Sequence, residues 1–289
     1  MAGITPDVTI VEVGPRDGLQ NEKRIVPTEE KLALISLLCA ANLPRLEITA
    51  FVSPKWVPQM ADHEAILRET PPADGLIRSV LVPNERGALS ALAIGVEELA
   101  VFTSASETFA HKNINCTITE SIERFTPVAA LARRCGVRLR GYVSCAVECP
   151  YEGPVAPRAV ADVAGALAEL GCIEISLADT IGRATPAGVD AMLSSVNGRL
   201  PPGRLACHFH DTFGHALDNV DVALGYGIRV FDSAIGGLGG CPYAPGAAGN
   251  LSTLPLVMHL ESRGFSTGTD IATLQQAEEF AAGLRGKQP

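Results

Sequence analysis

The chain has 289 residues, enough for one large alternating barrel or for two average domains. A formal charge of −9, without any basic run, argues against a nucleic acid or an anionic membrane surface as partner, and no apolar run is long enough to span a bilayer. Hydrophobic residues make up 47% and aromatics only 5%, a balance that suits parallel strands covered by helices rather than an aromatic-rich sandwich.

Val8 to Val13 is an apolar run ending in Gly14-Pro15-Arg16-Asp17-Gly18, which predicts a buried strand followed by a loop. A helix is expected from Thr28, as N-cap, to about Ala41. Arg45 to Phe51 reads as the second strand, Val57 to Arg68 as helix, and Leu76 to Val82 as the third strand. A short helix near Glu85 to Ile94 leads to a strand at Glu98 to Thr103, then a long polar loop, a helix over Glu120 to Cys135 and a strand over Val137 to Ser144. The remaining pairs are Ala159 to Leu170 with Cys172 to Leu177, Pro186 to Val196 with Arg204 to His210, and Ala216 to Tyr226 with Arg229 to Ala234.

Strict alternation of eight strands and helices predicts a single α/β domain over residues 1–289, a TIM (β/α)8 barrel. Leu251 to Gly264 and Ile271 to Leu284 are expected as additional C-terminal helices that cover the barrel or build a contact in a homo-oligomer. The polar, glycine-bearing segments follow the strands, so in a barrel they meet at the C-terminal face, where this fold gathers its chemistry.

The organising stretch is Leu205-Ala206-Cys207-His208-Phe209-His210-Asp211. Alternation along a strand aims His208 and His210 to one side, the geometry of two ligands on one metal ion, and turns Phe209 away. Asp17, at the end of the first strand, faces the pair across the barrel mouth. Two roles fit Asn250: a neutral oxygen ligand, or a cap for a helix beginning at Leu251. Such a mixed nitrogen and oxygen set suits an octahedral divalent ion, magnesium or manganese, better than structural zinc. Glu47 is a charge inside an apolar strand, which marks it either for catalysis or for pairing with an arginine such as Arg16. Asp179 and Asp211 are candidates for orienting the histidines. The eight cysteines are scattered and follow no secretory signal, so a reducing, cytoplasmic setting is expected; Cys145 and Cys149 have no second pair with which to build a zinc site.

Several segments together resemble the 3-hydroxy-3-methylglutaryl-CoA lyase family, in a barrel superfamily of lyases and synthases acting on acyl-CoA and 2-oxo acids. They are V-E-V-G-P-R-D-G-L-Q-N-E-K, F-V-S-P-K-W-V-P-Q-M, K-N-I-N-C, E-I-S-L-A-D-T-I-G, H-F-H-D-T-F-G and G-L-G-G-C-P-Y-A-P-G-A-A-G-N. The resemblance covers essentially the whole chain. It implies cleavage of hydroxymethylglutaryl-CoA to acetyl-CoA and acetoacetate, the chemistry of leucine degradation and ketone-body formation. It also implies metal ligation by Asp17, His208, His210 and Asn250, a substrate-contacting Arg16, a catalytic loop cysteine at Cys241 and a catalytic acidic residue at Glu47. Phe209 departs from the cysteine of animal enzymes at a position that faces away from the metal.

The chemistry asks for such residues. A tertiary alcohol must lose its proton while electrons move into the thioester, and a bound cation lowers the pKa of a coordinated oxygen from about 16 toward roughly 7. Asp17 or Glu47 could take that proton; Arg16 could hold the developing enolate, and Cys241 could return a proton to carbon. Two alternatives have different consequences. A lyase for a related 3-hydroxyacyl-CoA such as citramalyl-CoA would keep this site and change the pocket lining. A metal-dependent hydrolase of the same fold would leave Arg16 and Cys241 without a task.

Overall fold

The computed structural model describes residues 6–239 and 249–285, so Cys241 lies outside the described residues. The barrel strands are β1 (Thr9–Glu12), β2 (Arg45–Ala50), β3 (Ile77–Leu81), β4 (Glu98–Ser104) and β5 (Arg138–Ser144). After a two-stranded hairpin of β6 (Glu148–Cys149) and β7 (Gly153–Pro154) come β8 (Glu174–Asp179), β9 (Leu205–Phe209) and β10 (Val230–Ser233). They close in the order β1-β10-β9-β8-β5-β4-β3-β2, every barrel pairing parallel, as the alternation requires. The helices are α1 (Thr28–Ala40), α2 (His63–Glu69), α3 (Glu85–Ile94), α4 (Glu107–Ile114), α5 (Ile118–Cys135), α6 (Pro157–Leu170), α7 (Pro186–Asn197), α8 (Ala216–Gly225), α9 (Thr253–Ser262) and α10 (Ile271–Leu284).

Local differences from the expected boundaries have identifiable causes. Thr28 is the first helical residue rather than the cap, because Pro27 takes the N-cap position and the Thr28 hydroxyl donates to Asp62 Oδ2 at 2.9 Å. The polar loop after β4 contains α4, started by Ser106, whose hydroxyl accepts from the Phe109 amide at 3.1 Å. Helix α5 then begins with a complete capping box formed by Thr117 and Glu120. Helix α9 begins at Thr253 with Ser252 as N-cap, which removes the capping role from Asn250.

The aliphatic residues of the strands pack outward against the helices, whereas much of the lumen is ionic. Arg45 on β2 reaches across the barrel to Glu174 on β8 at 2.8 Å and to Glu98 on β4 at 2.8 Å. Arg140 on β5 is fully buried and pairs with Glu174 at 2.7 Å and with Asp232 on β10 at 2.6 Å. Barrels of this class usually fill these layers with branched aliphatics. Here charge is matched with charge, the arrangement in which buried ions remain tolerable.

Candidate metal centre at the barrel mouth

The segment after β1 is a single π-turn over Gly14–Gly18, in which the carbonyl of Val13 accepts from the amides of Arg16, Asp17 and Gly18. This tight turn, of a kind common at functional sites, projects Arg16 and Asp17 into the barrel mouth. Packing demands glycine here and opposite. A Cβ at Gly18 of the turn would lie 2.7 Å from the Cβ of Leu238, and one at Gly239, which faces the turn and has φ of +89°, would lie 2.7 Å from Asn250 Nδ2.

His208 and His210 leave β9 on the same side, their ring centroids 5.2 Å apart, while Phe209 is buried in the core. The chain then returns to them. Residues 249–251 pair with the end of β9, the Asp211 amide donating to Gly249 O at 2.8 Å and the Leu251 amide to Phe209 O at 3.0 Å. Asn250 is thereby set beside His210. Candidate ligand atoms of Asp17, His208 and His210 lie within 4.8 Å of one another, so these three side chains could hold one divalent metal ion.

Asn250 adjoins this cluster. Its Nδ2 donates to Asp17 Oδ2 at 2.9 Å and to Leu238 O at 3.0 Å, which uses both amide hydrogens. Its Oδ1 is buried and has no hydrogen-bond partner among the described residues. An unsatisfied buried oxygen costs about 1–3 kcal/mol, and a cation would satisfy it. The histidines are oriented in a matching way. His210 Nδ1 lies 2.8 Å from the backbone carbonyl of Asp179, and His208 Nδ1 lies 3.3 Å from Asp232 Oδ2, so Nε2 of each ring is the nitrogen left for a ligand role.

Electrostatics agree with a cation site. Burial pushes the Asp17 carboxyl up, but Arg16, His208 and His210 more than offset it and hold it at about 2. Burial, with His208 alongside, depresses His210 to about 4, so this ring is neutral and able to ligate at ordinary pH. Burial lowers His208 as well, yet the hydrogen bond and charge of Asp232, with Asp17, leave it raised.

Arg16 is buried and divided between two carboxylates, donating from Nε to Glu47 Oε1 and from Nη1 to Asp17 Oδ1 at 2.7 Å. Glu47 therefore does pair with Arg16, and its second oxygen accepts from the Tyr142 hydroxyl at 2.6 Å. Tyr142 and Asp232 were not anticipated. Asp232 carried the same signal that singled out Glu47, a charge within an apolar strand, and Tyr142 sits in Arg-Gly-Tyr-Val-Ser with no such mark. Of the two aspartates expected to orient the histidines, Asp179 contributes its backbone carbonyl while its carboxylate caps the turn at Arg183 and Ala184. Asp211 instead accepts from the Ala216 amide at 3.1 Å.

A cleft of about 1000 Å³ opens over these residues and extends from Asp17, Tyr142 and His208 to a rim carrying His111, Lys112 and Arg124. Cys145 and Cys149 are buried beside it with Phe109. No helix among the described residues is long and apolar enough to cross a membrane.

Comparison with known proteins identifies the family. The HMGL-like family model matches residues 7–281. The chain is 53% identical over 273 residues to the cytoplasmic 3-hydroxy-3-methylglutaryl-CoA lyase of Danio rerio, covering 94% of this chain and 82% of that protein. The mitochondrial hydroxymethylglutaryl-CoA lyase of Rattus norvegicus is 52% identical over 280 residues, covering 97% of this chain and 86% of that protein. Among solved structures, the HMG-CoA lyase of Brucella melitensis superposes with a TM-score of 0.96 at 55% identity, over 97% of this chain and 99% of that one. An HMG-CoA lyase of Acinetobacter baumannii, in complex with coenzyme A and 3-methylmalate, superposes with a TM-score of 0.91 at 38% identity, over 98% and 93%. With a family match across nearly its whole length and relatives above half identity, the chain belongs to the HMGL-like family.

Proposed function

We propose that the protein is a hydroxymethylglutaryl-CoA lyase that cleaves (S)-3-hydroxy-3-methylglutaryl-CoA to acetyl-CoA and acetoacetate. The observation that carries this reading is the buried Oδ1 of Asn250, unpartnered among the described residues, on a side chain bonded to Asp17 and set beside His210, next to a clustered carboxylate and two imidazoles under an open cleft. A magnesium or manganese ion held by Asp17, His208, His210 and Asn250 would supply Lewis acidity toward the substrate's hydroxyl oxygen.

The protein's own groups do the rest. The tertiary hydroxyl gives up its proton, its C–O becomes the ketone of acetoacetate, and the bond between C2 and C3 breaks with its electron pair entering the thioester as an enolate. Of the two carboxylates available as base, both have their oxygens hydrogen-bonded, Glu47 to Arg16 and Tyr142 and Asp17 to Arg16 and Asn250, and exposure separates them: Glu47 is fully buried, whereas the Asp17 side chain, which lines the cleft, is 23% exposed. A carboxylate held at about 2 is a weak base, which makes prior acidification of the alcohol a requirement. Arg16 uses its Nε hydrogen on Glu47 and one Nη1 hydrogen on Asp17, which leaves both Nη2 hydrogens to donate to the enolate oxygen. Cys241, on the glycine segment that follows Gly239, returns the proton to carbon and yields the acetyl methyl group. Lys112 and Arg124, cations at the cleft rim of a chain with net charge −9, are suited to the phosphates of coenzyme A.

The whole chain acts as one catalytic unit, a reading supported by the packing of α10 against α1. Met258, 55% exposed on α9, supports a homodimer contact on the covering helices. The free thiols suit a reducing cytoplasm, although relatives occur in both cytoplasm and mitochondria. A second reading, cleavage of a related 3-hydroxyacyl-CoA such as citramalyl-CoA, is favoured by the branched hydroxydicarboxylate held in the A. baumannii relative. A product assay over several 3-hydroxyacyl-CoA thioesters, with magnesium or manganese, separates the two. Acetyl-CoA and acetoacetate from the hydroxymethylglutaryl thioester at the highest kcat/KM is the expected result, and no turnover of it defeats the proposal.

A further inference from the structure

The two histidines of the metal centre are held by different acceptors. His210 relies on a backbone carbonyl, which no substitution of a side chain removes. His208 relies on the carboxylate of Asp232, its register partner on the neighbouring strand. Asp232 is 1% exposed and every group around it is a donor: Arg140 Nη2 reaches Oδ1 at 2.6 Å, while Arg140 Nη1, at 3.2 Å, and the Ser176 hydroxyl, at 2.8 Å, share Oδ2 with His208. A guanidinium has no acceptor to offer, so this environment requires an anionic, acceptor-only side chain.

We propose that Asp232, itself no ligand, is a positioning residue for the metal centre: it accepts the Nδ1 proton of His208 and so fixes the tautomer whose Nε2 lone pair faces Asp17. The inference deepens the proposed function and rests on its metal reading. Its physical core is the difference between a carboxylate and an amide. In Asp232→Asn the shorter contact with Arg140 keeps the remaining oxygen at the Oδ1 position, which puts the amide nitrogen against His208 Nδ1. A donor there stabilises the other tautomer, with its proton on Nε2, and that ring has no lone pair for a cation. Loss of activity through the wrong tautomer is established when an asparagine replaces the aspartate behind a catalytic histidine. Partners behind metal-bound histidines are typically worth about 10- to 100-fold in metal affinity.

The test is titration of the metal-free full chain with Mn2+, read as free Mn2+ by electron paramagnetic resonance, for wild type and Asp232→Asn. The ring tautomer of His208 is read in parallel by nitrogen-15 NMR at about pH 9, where imidazoles are neutral. The expected result is roughly 10- to 100-fold weaker Mn2+ binding in the variant, with the His208 proton moved from Nδ1 to Nε2 and an unchanged circular dichroism spectrum. Affinity within about threefold of wild type overturns the inference. Should the variant fail to fold, the wild-type spectrum decides: a proton on Nδ1 supports the role of Asp232, and one on Nε2 contradicts it. Should wild type bind no Mn2+, the metal reading falls, and the tautomer still decides the placement of Asp232.

Discussion

Glu47→Gln probes how the centre keeps Arg16 in place while leaving a carboxylate for metal. Glu47 is fully buried, accepts from Arg16 Nε on one oxygen and from the Tyr142 hydroxyl on the other, and Tyr142 in turn accepts from Arg140 Nη1 at 2.5 Å. An amide of the same shape keeps one oxygen for Arg16 but sets its NH2 against Tyr142, whose hydroxyl then faces two donors and has no acceptor. Breaking a buried ion pair from one side costs about 3–5 kcal/mol, and Arg16 retains Asp17, so the lower end, about 3 kcal/mol, is expected. At about 2 °C per kcal/mol for a chain of this size, the melting temperature should fall by about 6 °C. The freed guanidinium also leans further on Asp17 and competes with the cation, so Mn2+ affinity should fall by roughly tenfold. Calorimetric melting and Mn2+ titration of the same preparation read both effects. A variant that melts within about 1 °C of wild type and binds Mn2+ equally well would refute the reasoning.

Three further outcomes are expected. Burial pushes Glu12 up to about 7 despite hydrogen bonds from Thr253, Ile235 and Gly14. Its folded value is thus raised above the unfolded one, so folding is favoured at low pH, and on the order of 3 kcal/mol is lost as pH rises from about 4.5 through 7. Glu12→Gln, which can accept from Gly14 and Ile235 and donate to Thr253, should flatten that slope in urea melts collected across this window, and an unchanged slope would count against it. Gly239→Ala forces a methyl to within 2.7 Å of Asn250 Nδ2 at a backbone φ of +89°, so it should weaken Mn2+ binding more than it lowers the melting temperature; a pure stability loss would contradict that. His208, raised in the metal-free protein by Asp232 and Asp17, must deprotonate to bind metal, whereas His210, held at about 4, is already neutral. Metal affinity should therefore fall as pH drops below the His208 value, with about one proton released per ion, which calorimetry in buffers of different ionisation enthalpy measures.

Much of this was readable in one dimension because strand ends in a closed parallel barrel converge whatever their separation in sequence. The run ending in Arg16-Asp17 and the His208-Phe209-His210 alternation were enough to place three ligand candidates at one mouth. Asn250 was ambiguous because an asparagine before a helix is an equally good cap. The start of α9 at Thr253, with Ser252 as N-cap, removes the capping role, and the pairing of residues 249–251 with the end of β9 sets Asn250 beside His210. The ionic lumen escaped notice for a different reason. Arg45, Glu98, Arg140, Glu174 and Asp232 lie in largely apolar strands, and what makes them tolerable is a partner on a non-adjacent or neighbouring strand that no local pattern reveals. Helix α4 was hidden by polar residues, since its signal is one capping serine rather than a hydrophobic stripe.

The most direct test of the centre is a crystal of the protein soaked in Mn2+ and measured for anomalous scattering. One peak within about 2.0–2.3 Å of an Asp17 oxygen, both Nε2 atoms and Asn250 Oδ1 is the result this account predicts. A peak elsewhere in the barrel, or Asn250 turned so that its oxygen faces away from His208 and His210, would contradict it.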